Sequence, residues 1–143
     1  MAIQIPQNVR EVMSRHARET YPEECCGFLF GEERVTNGQE ETRLIHTAVK
    51  AHNIHEGDKR RRFRIDPKDY LRAEQFAAVQ GITLLGIYHS HPDHSARPSE
   101  HDREQAVPFF SYVIVSLDGE KVKEITSWRL TEERTFEEEQ VIE

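Results

Sequence analysis

The sequence predicts a single α/β domain in which a mixed, twisted sheet is flanked by helices, and three observations carry that reading. The chain has 143 residues, the size of one ordinary domain. Apolar residues at three- and four-residue spacing alternate along it with short, nearly continuous apolar runs, so helices and buried strands follow one another. No repeat or low-complexity linker interrupts that order, and residues 1–143 read as one unit whose last segment, 131–143, is acidic.

From Ile5, the apolar residues Val9, Val12, Met13 and Ala17 lie opposite Glu11, Arg15 and Glu19, which predicts an amphipathic helix closed by Tyr21-Pro22. The run Cys25-Cys26-Gly27-Phe28-Leu29-Phe30-Gly31 predicts a strand covered on both faces. Asn37-Gly38 predicts a tight turn, and residues 42–49 the return strand. A polar loop at 52–58 leads into the basic run Lys59-Arg60-Arg61-Arg62 and the strand-like Phe63-Arg64-Ile65. Asp66-Pro67 opens a second helix. Asp66 can accept from free amides and Pro67 loses no bond at the first helical position, while Gly81 suits the exit after Gln80. Residues 82–88 form the predicted central strand, 89–98 a loop, and Ser99 the start of a short helix that must stop before Pro108. Residues 112–117 and 122–130 read as a strand pair joined by Asp118-Gly119. The tail from Thr131, with six glutamates and one arginine, carries no predicted element.

Composition excludes several function classes. No apolar run approaches the roughly 18 residues of a membrane helix, and residues 1–8 lack the pattern of a signal peptide, so no membrane association and a cytoplasmic location are expected. A formal charge of -7, from 26 acidic and 19 basic side chains, disfavours phosphate binding, so no nucleic-acid partner is expected. The two cysteines, Cys25 and Cys26, are adjacent and point to opposite faces of a strand, which excludes a disulfide framework and favours small buried residues.

The chemistry concentrates after the central strand, in Tyr88-His89-Ser90-His91-Pro92. Extended residues two apart share a face, so His89 and His91 can present both imidazoles to one point. Asp102, one helical turn after Ser99, can supply a carboxylate as third ligand. Two imidazoles and one carboxylate leave a fourth position open, the arrangement of a catalytic zinc. The competing reading is a capping box, with Ser99 as the cap and Asp102 its partner, and it is compatible with a metal role. A shuffled chain of this composition would produce the full spacing, with Ser99 and Pro92 included, in roughly four of a hundred thousand cases.

His89-Ser90-His91-Pro92, Ser99 and Asp102 resemble the signature of the JAMM (MPN-plus) zinc metalloproteases. Glu24-Cys25-Cys26-Gly27-Phe28-Leu29-Phe30-Gly31 resembles the upstream Glu-x-Cys-Gly strand of the same family. The resemblance implies a JAMM fold similar to the cytidine deaminase architecture, and one Zn2+ per chain held by His89, His91 and Asp102. It makes Glu24 the general base for the zinc-bound water and Ser99 a stabiliser of the oxyanion. Glu23 competes for the base role, but alternation puts Glu24 on the face of Cys26, Phe28 and Phe30.

Residues 31–63 and 102–111 are too short for the insertions of larger relatives, so the chain resembles the compact bacterial branch. That branch implies peptide or isopeptide hydrolysis after the C-terminal Gly-Gly of a ubiquitin-like sulfur-carrier protein, whose tail would lie along a strand edge near the zinc. The alternative is a non-catalytic MPN-type scaffold for protein partners, which the five intact positions disfavour. A nucleobase deaminase would need a His-x-Glu and Pro-Cys-x-x-Cys set that this chain lacks. His94 and His101 read as solvated loop residues, and the basic run 59–64 as a solvated strand entry first and an acidic-partner patch second. Asn53 resembles a loop asparagine of the family to which no chemical role attaches, and spacing says nothing about oligomeric state.

Overall fold

The computed structural model describes residues 1–35 and 41–143, so the turn expected at Asn37-Gly38 lies outside the described residues. Chain order is β1 (Ala2–Gln4), α1 (Gln7–Thr20), β2 (Cys26–Val35), β3 (Glu41–Ala51), α2 (Pro67–Gln80), β4 (Thr83–Pro92), α3 (Glu100–Gln105), β5 (Ser111–Asp118), β6 (Lys121–Leu130) and β7 (Phe136–Ile142). The sheet is mixed, as expected: β4 pairs parallel with β5 and antiparallel with β2. The short β1 pairs with both β3 and β7, which closes the order β1-β3-β2-β4-β5-β6-β7 on itself.

Alternation along the strands sends side chains into two main cores, beside a third, small cluster of Ala96, Ile114 and Trp128. Cys25, Leu29, Leu85, Tyr88, Val113 and Val115 pack with α1 through Val9, Met13 and Ala17. Cys26, Phe28, Phe30, Leu84, Ile87 and Tyr112 pack with α2 through Ala73 and Ala77. A register shift between Leu29 and Phe30, opposite Leu84 to Gly86, lets Leu84 and Ile87 share the α2 side. Val12, grouped above with the apolar face of α1, is instead on its exposed flank. The caps of α2 are as anticipated: Asp66 accepts from the Lys68 amide at 2.9 Å, and Gly81 ends the helix at φ 69°.

Three expectations need correction. The segment after Tyr88 is not a loop, because β4 continues through Pro92 with His89 opposite Cys26 on one side and Ile114 on the other. Phe63-Arg64-Ile65 is outside the sheet: its backbone is satisfied by Asn53 Oδ1, which accepts from the Arg64 amide, and by the Ile54 amide, which donates to the Arg64 carbonyl. The acidic tail is not without structure but forms β7, where buried Glu139 accepts from Arg129, Ser111 and Ser127 at 2.5–2.9 Å. Among the described residues no helix is long and apolar enough to cross a membrane.

Candidate functional site

His89 and His91 stand on the α2 side of β4, two residues apart, and α3 returns beside them. Ser99 caps α3 by accepting from the Asp102 amide at 3.0 Å, while Asp102 Oδ2 accepts from the Ser99 amide at 2.8 Å. The reciprocal cap fixes the rotamer of Asp102, so the same oxygen reaches His89 Nε2 at 3.3 Å and His91 Nε2 at 3.1 Å. The two ring nitrogens are themselves 3.1 Å apart. The capping and ligand readings of Ser99 and Asp102 are therefore both compatible with one geometry.

The chemistry of this donor set fits a divalent cation. Two ligand atoms about 2.05 Å from a tetrahedral zinc are about 3.3 Å apart, close to the separations seen here. His91 Nδ1 lies 2.8 Å from the Ser95 carbonyl, which can only accept, so that nitrogen donates and Nε2 is the one turned toward Asp102. His89 Nδ1 is buried without a hydrogen-bond partner among the described residues. Its ring is held instead by stacking on Phe63, centroids 4.5 Å apart. Burial opposes the charge on Asp102, but the adjacent His89 and His91 outweigh it and hold the carboxyl well below the usual carboxylate range.

Glu24 enters from the segment before β2 and is only 1% exposed, whereas Glu23 is exposed. Among the described residues its Oε1 has no hydrogen-bond partner, although a carboxylate oxygen of Glu24 lies within 4.8 Å of ligand atoms on His91 and His94. Burial pushes its pKa up to about 8; His91 pulls it down and Asp102 adds to the rise. A buried carboxyl poised near neutrality beside a candidate cation site is suited to taking and returning a proton.

Several neighbours were invisible to linear spacing. Asn53 donates from Nδ2 to the carbonyls of Glu24 and Arg62, each at 3.0 Å, and its Oδ1 accepts from the amides of His55 and Arg64. It thus ties residues 62–64 to the segment before β2 that carries Glu24, and the Glu24 amide also donates to the Lys59 carbonyl at 2.7 Å. His94 is exposed but is not merely solvated, since it stacks on His91 with centroids 4.1 Å apart. His101 stays at the rim, edge-on to His55. β4 is paired on both sides at His89, so a strand edge near the site would have to come from another element.

Two cavities flank the cluster. One, about 230 Å³, is bounded by Phe63, Arg64, Tyr70, His89, Asp102 and Tyr112. The other, about 630 Å³, is bounded by Pro22, Arg60, Arg61, Asp93, His94 and Ser99.

Comparison with known proteins finds likenesses over most of the chain. The family described as prokaryotic homologs of the JAB domain matches residues 6–131. A desampylase from Haloferax volcanii is 30% identical over 122 residues, covering 82% of both chains. A CysO-cysteine peptidase from Mycobacterium bovis is 28% identical over 127 residues, covering 88% of this chain and 81% of that one. The solution structure of a protein from Desulfitobacterium hafniense superimposes with a TM-score of 0.81 at 30% identity, covering 99% of this chain and 92% of that one.

Proposed function

The chain belongs to the prokaryotic JAB family, and from that membership we propose that it is a zinc-dependent peptidase acting after the C-terminal Gly-Gly of a ubiquitin-like sulfur-carrier protein. The names of the desampylase and CysO-cysteine peptidase relatives support the substrate class. The observation that carries the chemistry is the buried carboxyl of Glu24, whose Oε1 has no hydrogen-bond partner among the described residues, beside the His89, His91 and Asp102 cluster.

In this reading His89 Nε2, His91 Nε2 and Asp102 Oδ2 hold the zinc, as their convergence within 3.3 Å supports. The ion supplies Lewis-acid polarisation and lowers the pKa of water toward about 7. Glu24 takes one proton from the attacking water as its oxygen adds to the glycine carbonyl carbon. When the carbon–nitrogen bond breaks, Glu24 returns that proton to the departing amine. Ser99 Oγ accepts its helix-cap bond, which leaves its hydroxyl hydrogen available to the developing oxyanion.

The test is cleavage of a ubiquitin-like carrier extended beyond Gly-Gly, followed by mass spectrometry. Zinc-loaded protein should release the extension and Glu24→Gln should not, although it keeps the metal. Metal binding with no release by the parent protein would instead favour the scaffold alternative.

A further inference from the structure

The basic run does not enter the sheet but straps the site. Its Phe63 stacks on His89, with Arg64 on the 230 Å³ cavity and Arg61 on the 630 Å³ cavity. Arg60 is committed, since its guanidinium donates to both oxygens of Asp58 at 3.0 and 3.3 Å. Arg61 is not: among the described residues its guanidinium makes no hydrogen bond or ion pair, in a chain that carries seven more acidic than basic side chains.

The acid sharing its cavity cannot easily turn to it. Asp93 Oδ2 accepts from the Tyr21 hydroxyl at 2.6 Å and Oδ1 from the Gly119 amide at 2.8 Å. Arg61 therefore lines, with no hydrogen bond or ion pair of its guanidinium among the described residues, a cavity that Ser99, three residues from Asp102, also lines; the nearby charge of Asp58 is already held by Arg60. A guanidinium fork matches a planar carboxylate. The other cavity is smaller and walled by Phe63, Tyr70 and Tyr112, which suits a tail without side chains.

We propose that the wide cavity is the leaving-group subsite and that Arg61 is a specificity-determining residue that receives the α-carboxylate of a single amino acid released after the Gly-Gly. The inference rests on the peptidase reading for its orientation. It predicts a preference for carriers extended by one residue with a free carboxylate over the same carrier ending in an amide.

The experiment compares a ubiquitin-like carrier ending in Gly-Gly-Ala as free acid and as amide. Binding is measured on zinc-loaded Glu24→Gln, and cleavage on zinc-loaded protein. The acid should bind and react about tenfold or more better than the amide. Arg61→Gln should bring the acid down to the level of the amide, and Arg61→Lys should restore part of the preference. Equal binding of acid and amide, or a preference that survives Arg61→Gln, overturns the proposal whether or not either is cleaved. Acid-selective binding with no cleavage of either substrate would uphold the role of Arg61 and overturn the peptidase reading instead.

Discussion

Along β4, successive side chains meet opposite conditions. On the α1 side Tyr88 and Ser90 are buried and paired: the Tyr88 hydroxyl is 2.8 Å from His16 Nδ1, and Ser90 Oγ accepts from the Cys25 amide at 2.8 Å. Burial also lowers the pKa of His16 to about 4, which keeps that contact neutral. On the α2 side His89 is as buried as Tyr88, yet among the described residues its Nδ1 and the nearby Glu24 Oε1 are left without partners. Buried polar groups are ordinarily satisfied, because an unsatisfied one costs about 1–3 kcal/mol. One face is therefore finished as structure, while the other leaves buried polar atoms unsatisfied among the described residues.

Changes on the two faces should separate metal and turnover from stability. The largest effect is expected from His89→Ala/His91→Ala, which should abolish both metal retention and cleavage while circular dichroism still reports the fold. Glu24→Gln should reduce kcat by about 10²–10⁴-fold with zinc content intact, the range for loss of a general base. Ser99→Ala should lower kcat by about 10²–10³-fold and also cost about 1 kcal/mol through the lost cap, read by urea denaturation. On the opposite face Ser90→Ala should leave zinc content unchanged and cost about 1–3 kcal/mol, since the Cys25 amide loses its acceptor.

A pH series sharpens the same contrast in chelator-stripped protein. The folded chain holds the Glu24 proton more tightly than the unfolded chain does, so this group's contribution to stability falls as pH rises from about 4.5 through about 8. The unfolding free energy from urea denaturation should drop across that window by on the order of a few kcal/mol. Glu24→Gln should flatten the decline, and an unchanged slope would show that Glu24 is not the group responsible.

The site was more legible than its surroundings because its geometry is local. The two-residue pitch of a strand put His89 and His91 on one face, and the three-residue cap put Asp102 at a fixed reach from Ser99. Those periodicities need no knowledge of the remaining chain. The strand that replaces the expected loop at 89–92 depends on partners in β2 and β5, far away in sequence. β7 was hidden for a similar reason: a glutamate-rich stretch becomes a strand because Arg129, Ser111 and Ser127 converge on Glu139. His94 was misjudged because Asp93, at φ 61°, turns the chain so that His94 folds back onto His91. Nothing in linear spacing encodes that return.

The central claim is that the α2 face of β4 holds a metal through His89, His91 and Asp102. Its most direct test is zinc content by mass spectrometry on protein purified without chelator, beside His89→Ala/His91→Ala and Ser90→Ala. The account predicts about one zinc per chain in the parent and in Ser90→Ala, and none in the double variant. Zinc that persists in the double variant, or that never binds the parent after reconstitution, would contradict it.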